Sequence, residues 1–366
     1  MMTLESYHAL GRSGLLVSPL ALGTMTFGTP RWGMDAKDSR AVFDRYVDLG
    51  GNFLDTADVY SGGASEEMVG AFVKDAGLRD RMVIATKSGF ATGKAPLSGG
   101  NGARHVRAAV EGSLKRLGTD FIDLYWIHIW DGITPAEELL ETMSNLIRSG
   151  KIRYWGLSNS PAWYIAQLAT LAQARGLPAP VGLQYYYALT ERGVENEHVP
   201  LGRALGIGLV PWSPLAYGLL TGKYDRATVE AGASRQGGVP NAGGPAGERP
   251  EGDKRLDGDN PFGDTLFTDR NWRIVDELKR IATETGETPA RIALAWVVGR
   301  PGVSSTLMGV SRVEQVADNA SALALELSPD HLAALDVVSG GTGNFLYGLF
   351  ERPVRNQVVF GGANVA

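Results

Sequence analysis

Leu22-Gly23-Thr24-Met25-Thr26-Phe27-Gly28 closes the first strand-like run of this chain and decides between two architectures. Short apolar runs alternate with longer amphipathic ones along most of the sequence, a pattern expected of parallel strands joined by helical crossovers. Such a sheet either stays open or closes on itself. An open dinucleotide-binding sheet carries Gly-x-Gly-x-x-Gly directly after its first strand, where the backbone must approach a pyrophosphate. Residues 22–28 lack that spacing, and so favour closure into a barrel.

The strand-like runs lie at 20–26, 52–55, 82–87, 121–128, 154–158, 181–185, 208–213 and 305–309, which is eight. They are apolar on both faces, as expected for strands covered by helices. Helix-like runs at 39–49, 105–117, 137–147, 163–174, 196–205, 271–285 and 313–323 separate them, with stop signals at Gly50-Gly51, Gly118, Gly150, Gly176 and Gly206. Eight strands within 366 residues predict a (β/α)8 TIM barrel occupying 1–366 as a single domain. Three segments stand outside the repeat. Residues 7–19, with Gly11-Arg12-Ser13-Gly14 between apolar residues, predict an N-terminal β-hairpin that caps the bottom of the barrel. Residues 225–269, rich in Gly, Pro and charge, predict a long loop insertion after strand 7. The tail over 340–366 holds Phe345, Leu346, Tyr347, Leu349, Phe350 and Phe360, and is expected to pack over the barrel or against another subunit.

Composition excludes several functions. The chain has no cysteine, which removes disulfides, thiolate metal sites and cysteine nucleophiles and fits a reducing compartment. Net charge is -5 with no basic stripe, so nucleic acid is not an expected partner. No apolar run approaches the roughly 18 residues that span a membrane, and the first ten residues lack a basic n-region. A cytoplasmic location is expected. Residues 89–94 are not a phosphate-binding loop, because Ala95 stands where Ser or Thr is needed. There is neither His-Glu-x-x-His nor Gly-x-Ser-x-Gly, and no metal site is expected.

Four polar residues sit at or just past the ends of three consecutive strand-like runs: Asp55, Tyr60, Lys87 and His128. Chemistry in an eightfold barrel sits where strands end and loops begin. Neighbouring strands are about 5 Å apart, so long side chains from three of them can converge. A free tyrosine has a pKa of about 10 and gives up its proton reluctantly. An ammonium beside it stabilises the phenolate, a carboxylate fixes that ammonium, and an imidazole can orient a substrate oxygen. Taken singly, each has a plain alternative: Asp55 a helix cap, Tyr60 loop packing, Lys87 a buried strand end, His128 a satisfied core histidine. Together at successive strand ends they predict a catalytic group with Tyr60 as proton donor.

At this point the chain resembles the aldo-keto reductases. The resemblance runs from Leu20 to about Ala324. It is carried by residues 22–28, by Asn52-Phe53-Leu54-Asp55-Thr56-Ala57-Asp58-Val59-Tyr60, Ile84-Ala85-Thr86-Lys87 and Asp123-Leu124-Tyr125-Trp126-Ile127-His128, and by residues 150–159, 212–215, 218–224 and 309–312. Within the family it is similar to the bacterial branch related to potassium-channel β subunits and sugar-ketone reductases. The resemblance implies NADPH-dependent reduction of an aldehyde or ketone, reversible with NADP+, and NADH as the weaker cofactor. It also leaves open a redox-sensing, NADP(H)-binding regulatory subunit with little turnover.

Carried over by position, Asp55, Tyr60, Lys87 and His128 are the catalytic tetrad. Gly23, Thr24 and Met25 join Asp55 beside the cofactor, Ser158, Asn159 and Gln184 hold the carboxamide, and Trp212 stacks under the nicotinamide, where the family usually has tyrosine. Ser213, Pro214, Leu215, Gly218, Leu219 and Lys223 line the pyrophosphate. Gly309, Ser311, Arg312, Gln315, Asp318 and Asn319 hold the adenosine end. An arginine at a helix N-terminus opposes the helix dipole unless an anion is present, so Arg312 is assigned to the 2′-phosphate. The aromatics Phe27, Trp32, Phe90 and Trp130 are expected at the rim, as a wall for a hydrophobic ketone, an aldehyde or a keto-sugar. Homo-oligomerisation is left open by the apolar tail.

Overall fold

The computed structural model describes residues 1–29, 32–227, 229, 256, 266–340 and 345–364. A hairpin opens the chain: β1 (His8–Ala9) pairs antiparallel with β2 (Leu16–Val17). Eight strands follow: β3 (Leu20–Gly23), β4 (Phe53–Asp55), β5 (Val83–Ser88), β6 (Ile122–Ile127), β7 (Ile152–Ser158), β8 (Gly182–Tyr186), β9 (Gly208–Trp212) and β10 (Thr306–Gly309). They pair in parallel in the order β10-β3-β4-β5-β6-β7-β8-β9. The circle closes where Leu209 N–H donates to Gly302 O (2.9 Å) and Ser304 N–H donates to Leu209 O (2.8 Å). Helices α1 (Ala36–Asp48), α2 (Ala64–Asp75), α3 (Ala103–Leu117), α4 (Ala136–Arg148), α5 (Ala162–Arg175) and α6 (His198–Leu205) alternate with the strands. They are followed by α7 (Asp269–Thr285), α8 (Pro289–Val298), α9 (Glu314–Ser321) and α10 (Pro329–Ser339). This is the expected (β/α)8 barrel.

Strand alternation sorts the side chains into two cores. Ala21, Phe53, Val83, Ala85, Leu124, Trp126, Val210 and Leu307 fill the barrel interior, and Leu10, Leu15 and Val17 of the hairpin plug it from below. Arg12 N–H fastens the hairpin by donating to Gly206 O (2.7 Å). The larger core lies between the strands and the helices, with Tyr46, Phe43, Phe27 and Trp155 among its members.

The widest interior side chain is Trp126, and two glycines make room for it. A Cβ on Gly156 would stand 2.4 Å from its ring and 2.5 Å from Gly182 O; one on Gly182 would stand 2.7 Å from the ring. Gly156→Ala is therefore expected to destabilise the fold by about 1–3 kcal/mol, the usual cost of overpacking, read as a lower urea midpoint. An unchanged midpoint would mean that the indole can move aside.

Besides α8 and α10, the structure adds a helix beside the site that the sequence reading did not contain, α2. Its buried Ser65 and Glu66 break the apolar periodicity there. The insertion expected over 225–269 lies mostly outside the described residues. Leu256, within it, is buried and donates its N–H to Tyr224 Oη (3.0 Å). The tail departs from expectation. Leu346, Leu349, Phe350, Val358, Val359 and Phe360 are exposed rather than packed over the barrel of their own chain. Tyr347 Oη instead ties it to Glu197 Oε1 (2.5 Å).

Candidate active site

Parallel pairing brings the four expected residues to one end of the barrel. Asp55 is the last residue of β4, Lys87 the second-last of β5, and His128 follows β6 directly. Tyr60 begins a tight turn, Tyr60–Gly63, after β4, in which Ser61 (φ 51°) and Gly62 (φ 65°) adopt left-handed backbone. Inside the barrel Lys87 has no exposure and Asp55 almost none. The Lys87 Nζ donates to Asp55 Oδ1, to Thr56 O (2.7 Å) and to Tyr60 Oη (3.2 Å). Those three acceptors use every proton of an ammonium. Burial alone would push the Lys87 pKa down, but the charges and hydrogen bonds of Asp55 and Tyr60 outweigh it and hold the amine above its ordinary value. Lys87 is therefore a cation at any working pH.

Asp55 is held from the other side. Trp126 Nε1 and Gln184 Nε2 both donate to its Oδ2, at 3.0 and 2.9 Å. Burial and the Lys87 charge lower the His128 pKa well below its ordinary value, so the imidazole is neutral. Its ring meets that of Tyr60 edge-on at 6.0 Å, and its buried Nδ1 has no protein partner.

The residues assigned to a cofactor fall along the same end of the barrel. Gly23 and Gly309 are paired partners at the ends of β3 and β10, and Met25 is half-buried just beyond. Thr24 is turned to structure: its hydroxyl bonds Asp55 O (3.1 Å) and Ser65 Oγ (2.8 Å). Asn159, with a positive φ of 46°, donates to His128 O (3.0 Å) and Ser158 Oγ (2.9 Å). One face of Trp212 stacks on Tyr186 with centroids 4.9 Å apart, and its buried Nε1 has no protein partner. After β9 the backbone turns through Ser213 (φ 50°), Ala216 (47°) and Tyr217 (55°), conformations costly for residues with a side chain. Pro214 and Leu219 are buried beneath this turn and Leu215 is half-buried. Gly218 lies against Lys223, whose Nζ would stand 3.0 Å from a Cβ there. Strain of this kind concentrates at ligand-binding loops, and successive backbone N–H groups so arranged favour anions.

At the start of α9, Gln315 Oε1 accepts from the N–H groups of Ser311 (2.8 Å) and Arg312 (3.2 Å), while the Arg312 side chain is exposed. Asn319 is buried, and Asp318 is ion-paired with Arg291 at 2.6 Å.

The rim aromatics divide. Phe90 lies 4.4 Å from the His128 ring, and Trp130 meets Trp163 edge-on at 5.5 Å. Trp32 is half-buried. Phe27 has no exposure and packs against Phe72 in the core under the helices, so it does not form part of an exposed wall. Its apolar ring gains more from that core than from solvent at the rim.

The Aldo/keto reductase family model matches residues 19–339. The chain belongs to this family. It shares 36% identity over 321 residues with a probable voltage-gated potassium channel subunit beta of Oryza sativa, covering 87% of this chain and 90% of that one. It shares 34% over 347 residues with an uncharacterized oxidoreductase of Bacillus subtilis, covering 92% and 97%. With a norsolorinic acid reductase of Emericella nidulans it shares 32% over 365 residues, covering 96% and 86%. The protein is an aldo-keto reductase, an oxidoreductase acting on carbonyl groups.

Three parts of this candidate site escaped the sequence reading. Trp126 and the Thr56 carbonyl fix the charged pair, and Trp163 extends the rim. Trp126 carried a usable signal: it lies in β6 two residues before His128, which follows that strand directly, and so points to the same inward side. Thr56 O carried none, since any residue supplies a carbonyl. No helix among the described residues is long and apolar enough to cross a membrane.

Proposed function

We propose that the protein reduces an aldehyde or ketone to its alcohol with NADPH, Tyr60 supplying the proton. The observation that carries this reading is the placement of Lys87 Nζ, a buried cation that contacts Asp55 and Tyr60 Oη together. The NADPH fit rests on the strained turn at Ser213–Tyr217, the unpartnered indole N–H of Trp212 and the ammonium of Lys223 over Gly218. Trp212 offers only one ring face, because Tyr186 takes the other. Ser158, Asn159 and Gln184 would hold the carboxamide, with Gln184 Oε1 left to accept once its amide N–H binds Asp55. The turn and Lys223 would hold the pyrophosphate, and Ser311 and Arg312 the 2′-phosphate, with Gln315 giving up its bonds to their backbone. Bound there, NADPH supplies the hydride.

The chain's own groups do the rest. The carbonyl oxygen sits between Tyr60 Oη and neutral His128, which orients it without donating a full charge. As negative charge builds on that oxygen, Tyr60 protonates it. The phenol oxygen is then left negative beside the Lys87 ammonium, in a low-dielectric pocket where that charge is most effective. Phe90 and the Trp130–Trp163 pair flank the entrance and suit an apolar or ring-bearing substrate.

The test is NADPH oxidation against aldehydes, keto-sugars and polycyclic ketones, with NADH in parallel. Turnover on at least one class is expected. Tight cofactor binding with negligible turnover on all of them would point instead to a regulatory, redox-sensing subunit, a reading compatible with relatives named as potassium channel β subunits. Arg312→Ala is expected to weaken NADPH by about 10- to 100-fold, the size of a lost charged hydrogen bond, and to leave NADH nearly unchanged. Equal losses for the two cofactors, by fluorescence titration, would remove Arg312 from the 2′-phosphate.

A further inference from the structure

Between the barrel wall and helices α2 and α3 lies a second set of polar side chains that the reaction above does not use. Strand alternation turns Lys87 inward and its neighbours Thr86 and Ser88 outward, and Tyr125 of β6 pairs beside Thr86. Glu66 of α2 is fully buried and fully engaged: Thr86 Oγ1 donates to its Oε1 (2.6 Å) and Arg116 Nε of α3 to its Oε2 (2.5 Å). Asp58 is also buried, at 5% exposure, but its Oδ1 has no protein partner. Neither have the buried Ser88 Oγ and Tyr125 Oη.

Charge decides the state of Asp58. Two carboxylates share this layer, and one guanidinium, Arg116, is already bonded to Glu66. The other near cation, Lys87, faces inward on Asp55. An ionised Asp58 would be a second buried anion beside Glu66 without a cation of its own. Burial first, then Glu66, pushes Asp58 up to about 7, against the opposing pull of Arg116, the Val59 N–H and Lys87. Tyr125 is held neutral by burial and adds no charge.

Asp58 also stands two residues before Tyr60. Its own N–H donates to Lys87 O (3.1 Å), and the Tyr60 N–H donates to Ala57 O (3.1 Å). The backbone that carries the phenol is thus pinned to the strand that carries the ammonium, through the residue whose side chain enters the acidic layer.

We infer that Asp58 is a positioning residue: as the neutral acid it seats the turn at 57–60 against the outer wall of the barrel and keeps Tyr60 on Lys87, and its ionisation loosens that turn. This rests on the proton-donor role proposed for Tyr60. The sign follows from the raised folded value. Protonation stabilises the seated turn fully below the ordinary carboxyl value of 3.8, and that contribution is lost as pH rises through about 7.

The experiment compares the full-length wild type with Asp58→Asn, a neutral isostere, from about pH 5 to 9. Two quantities are read: kcat and KM for carbonyl reduction, and hydrogen-exchange protection of residues 56–63 corrected for intrinsic rates. In the wild type, kcat and protection are each expected to fall about tenfold as pH rises through about 7, with KM for NADPH unchanged. In Asp58→Asn both stay level at the low-pH value. Parallel pH profiles in the two proteins would overturn the inference. So would wild-type protection that is constant across pH 7, a result that stands even if the variant fails to fold. Should no carbonyl be reduced at any pH, the proposed function fails by that result, and the exchange profile still decides whether Asp58 seats the turn.

Discussion

Tyr60→Phe lowers carbonyl reduction by about 10²- to 10⁴-fold, the usual worth of a general acid, and leaves NADPH affinity within about twofold. The substitution removes one oxygen and keeps the ring, which packs 4.8 Å from Lys87 Nζ and edge-on to His128. Nothing assigned to the cofactor on β7–β10 depends on that hydroxyl. The loss should therefore fall on kcat, and cofactor titration by fluorescence should hardly change. Retained turnover would show that another group delivers the proton. A parallel loss of NADPH binding would show that the hydroxyl shapes the cofactor site.

Lys87→Met has two expected effects, which a second variant separates. It removes the charge beside Tyr60 Oη, and reduction should fall by a factor comparable to the loss in Tyr60→Phe. It also leaves Asp55 as a buried carboxylate with only Trp126 and Gln184 as donors. Breaking a buried pair on one side costs about 3–5 kcal/mol, because the remaining charge has no counterion. The double variant Lys87→Met/Asp55→Asn should recover most of that stability while activity stays lost. Urea unfolding and steady-state rates measure the two effects. Activity restored in the double variant would reduce Lys87 to a structural role. The raised Lys87 pKa sets the pH range: the pair's contribution is complete below the ordinary lysine value of 10.5 and is lost only as pH rises through the higher folded value. Wild-type stability between about pH 8 and 10 should owe no decline to this pair.

That Asp55, Tyr60, Lys87 and His128 meet was legible because three of them close apolar strand-like runs with a polar group, Tyr60 follows in the turn after one of them, and a parallel barrel aligns successive strand ends. The barrel was legible from eight alternations and from the spacing in residues 22–28. What escaped depends on tertiary packing. The helix α2 carries buried Ser65 and Glu66, whose partners Thr24, Thr86 and Arg116 lie on other elements, so its periodicity is blurred. Phe27 reads as a rim aromatic because it sits in a loop after a strand, yet that loop folds back onto Phe72. Asp58 lies inside one of the motifs that revealed the family and reads as an ordinary loop carboxylate until α2 and α3 bury it. The exposed tail is the converse case: its apolar residues promised burial that their own chain does not provide.

At the proposed site a hydride moves from NADPH to a carbonyl carbon while Tyr60 protonates the oxygen. The most direct measurement follows a label. With NADPH deuterated at its transferable position and the best carbonyl from the substrate panel, the wild-type enzyme should form an alcohol carrying deuterium on the former carbonyl carbon, in step with cofactor oxidation. NADPH consumed without deuterium in the alcohol, or no alcohol formed from any carbonyl, would contradict it.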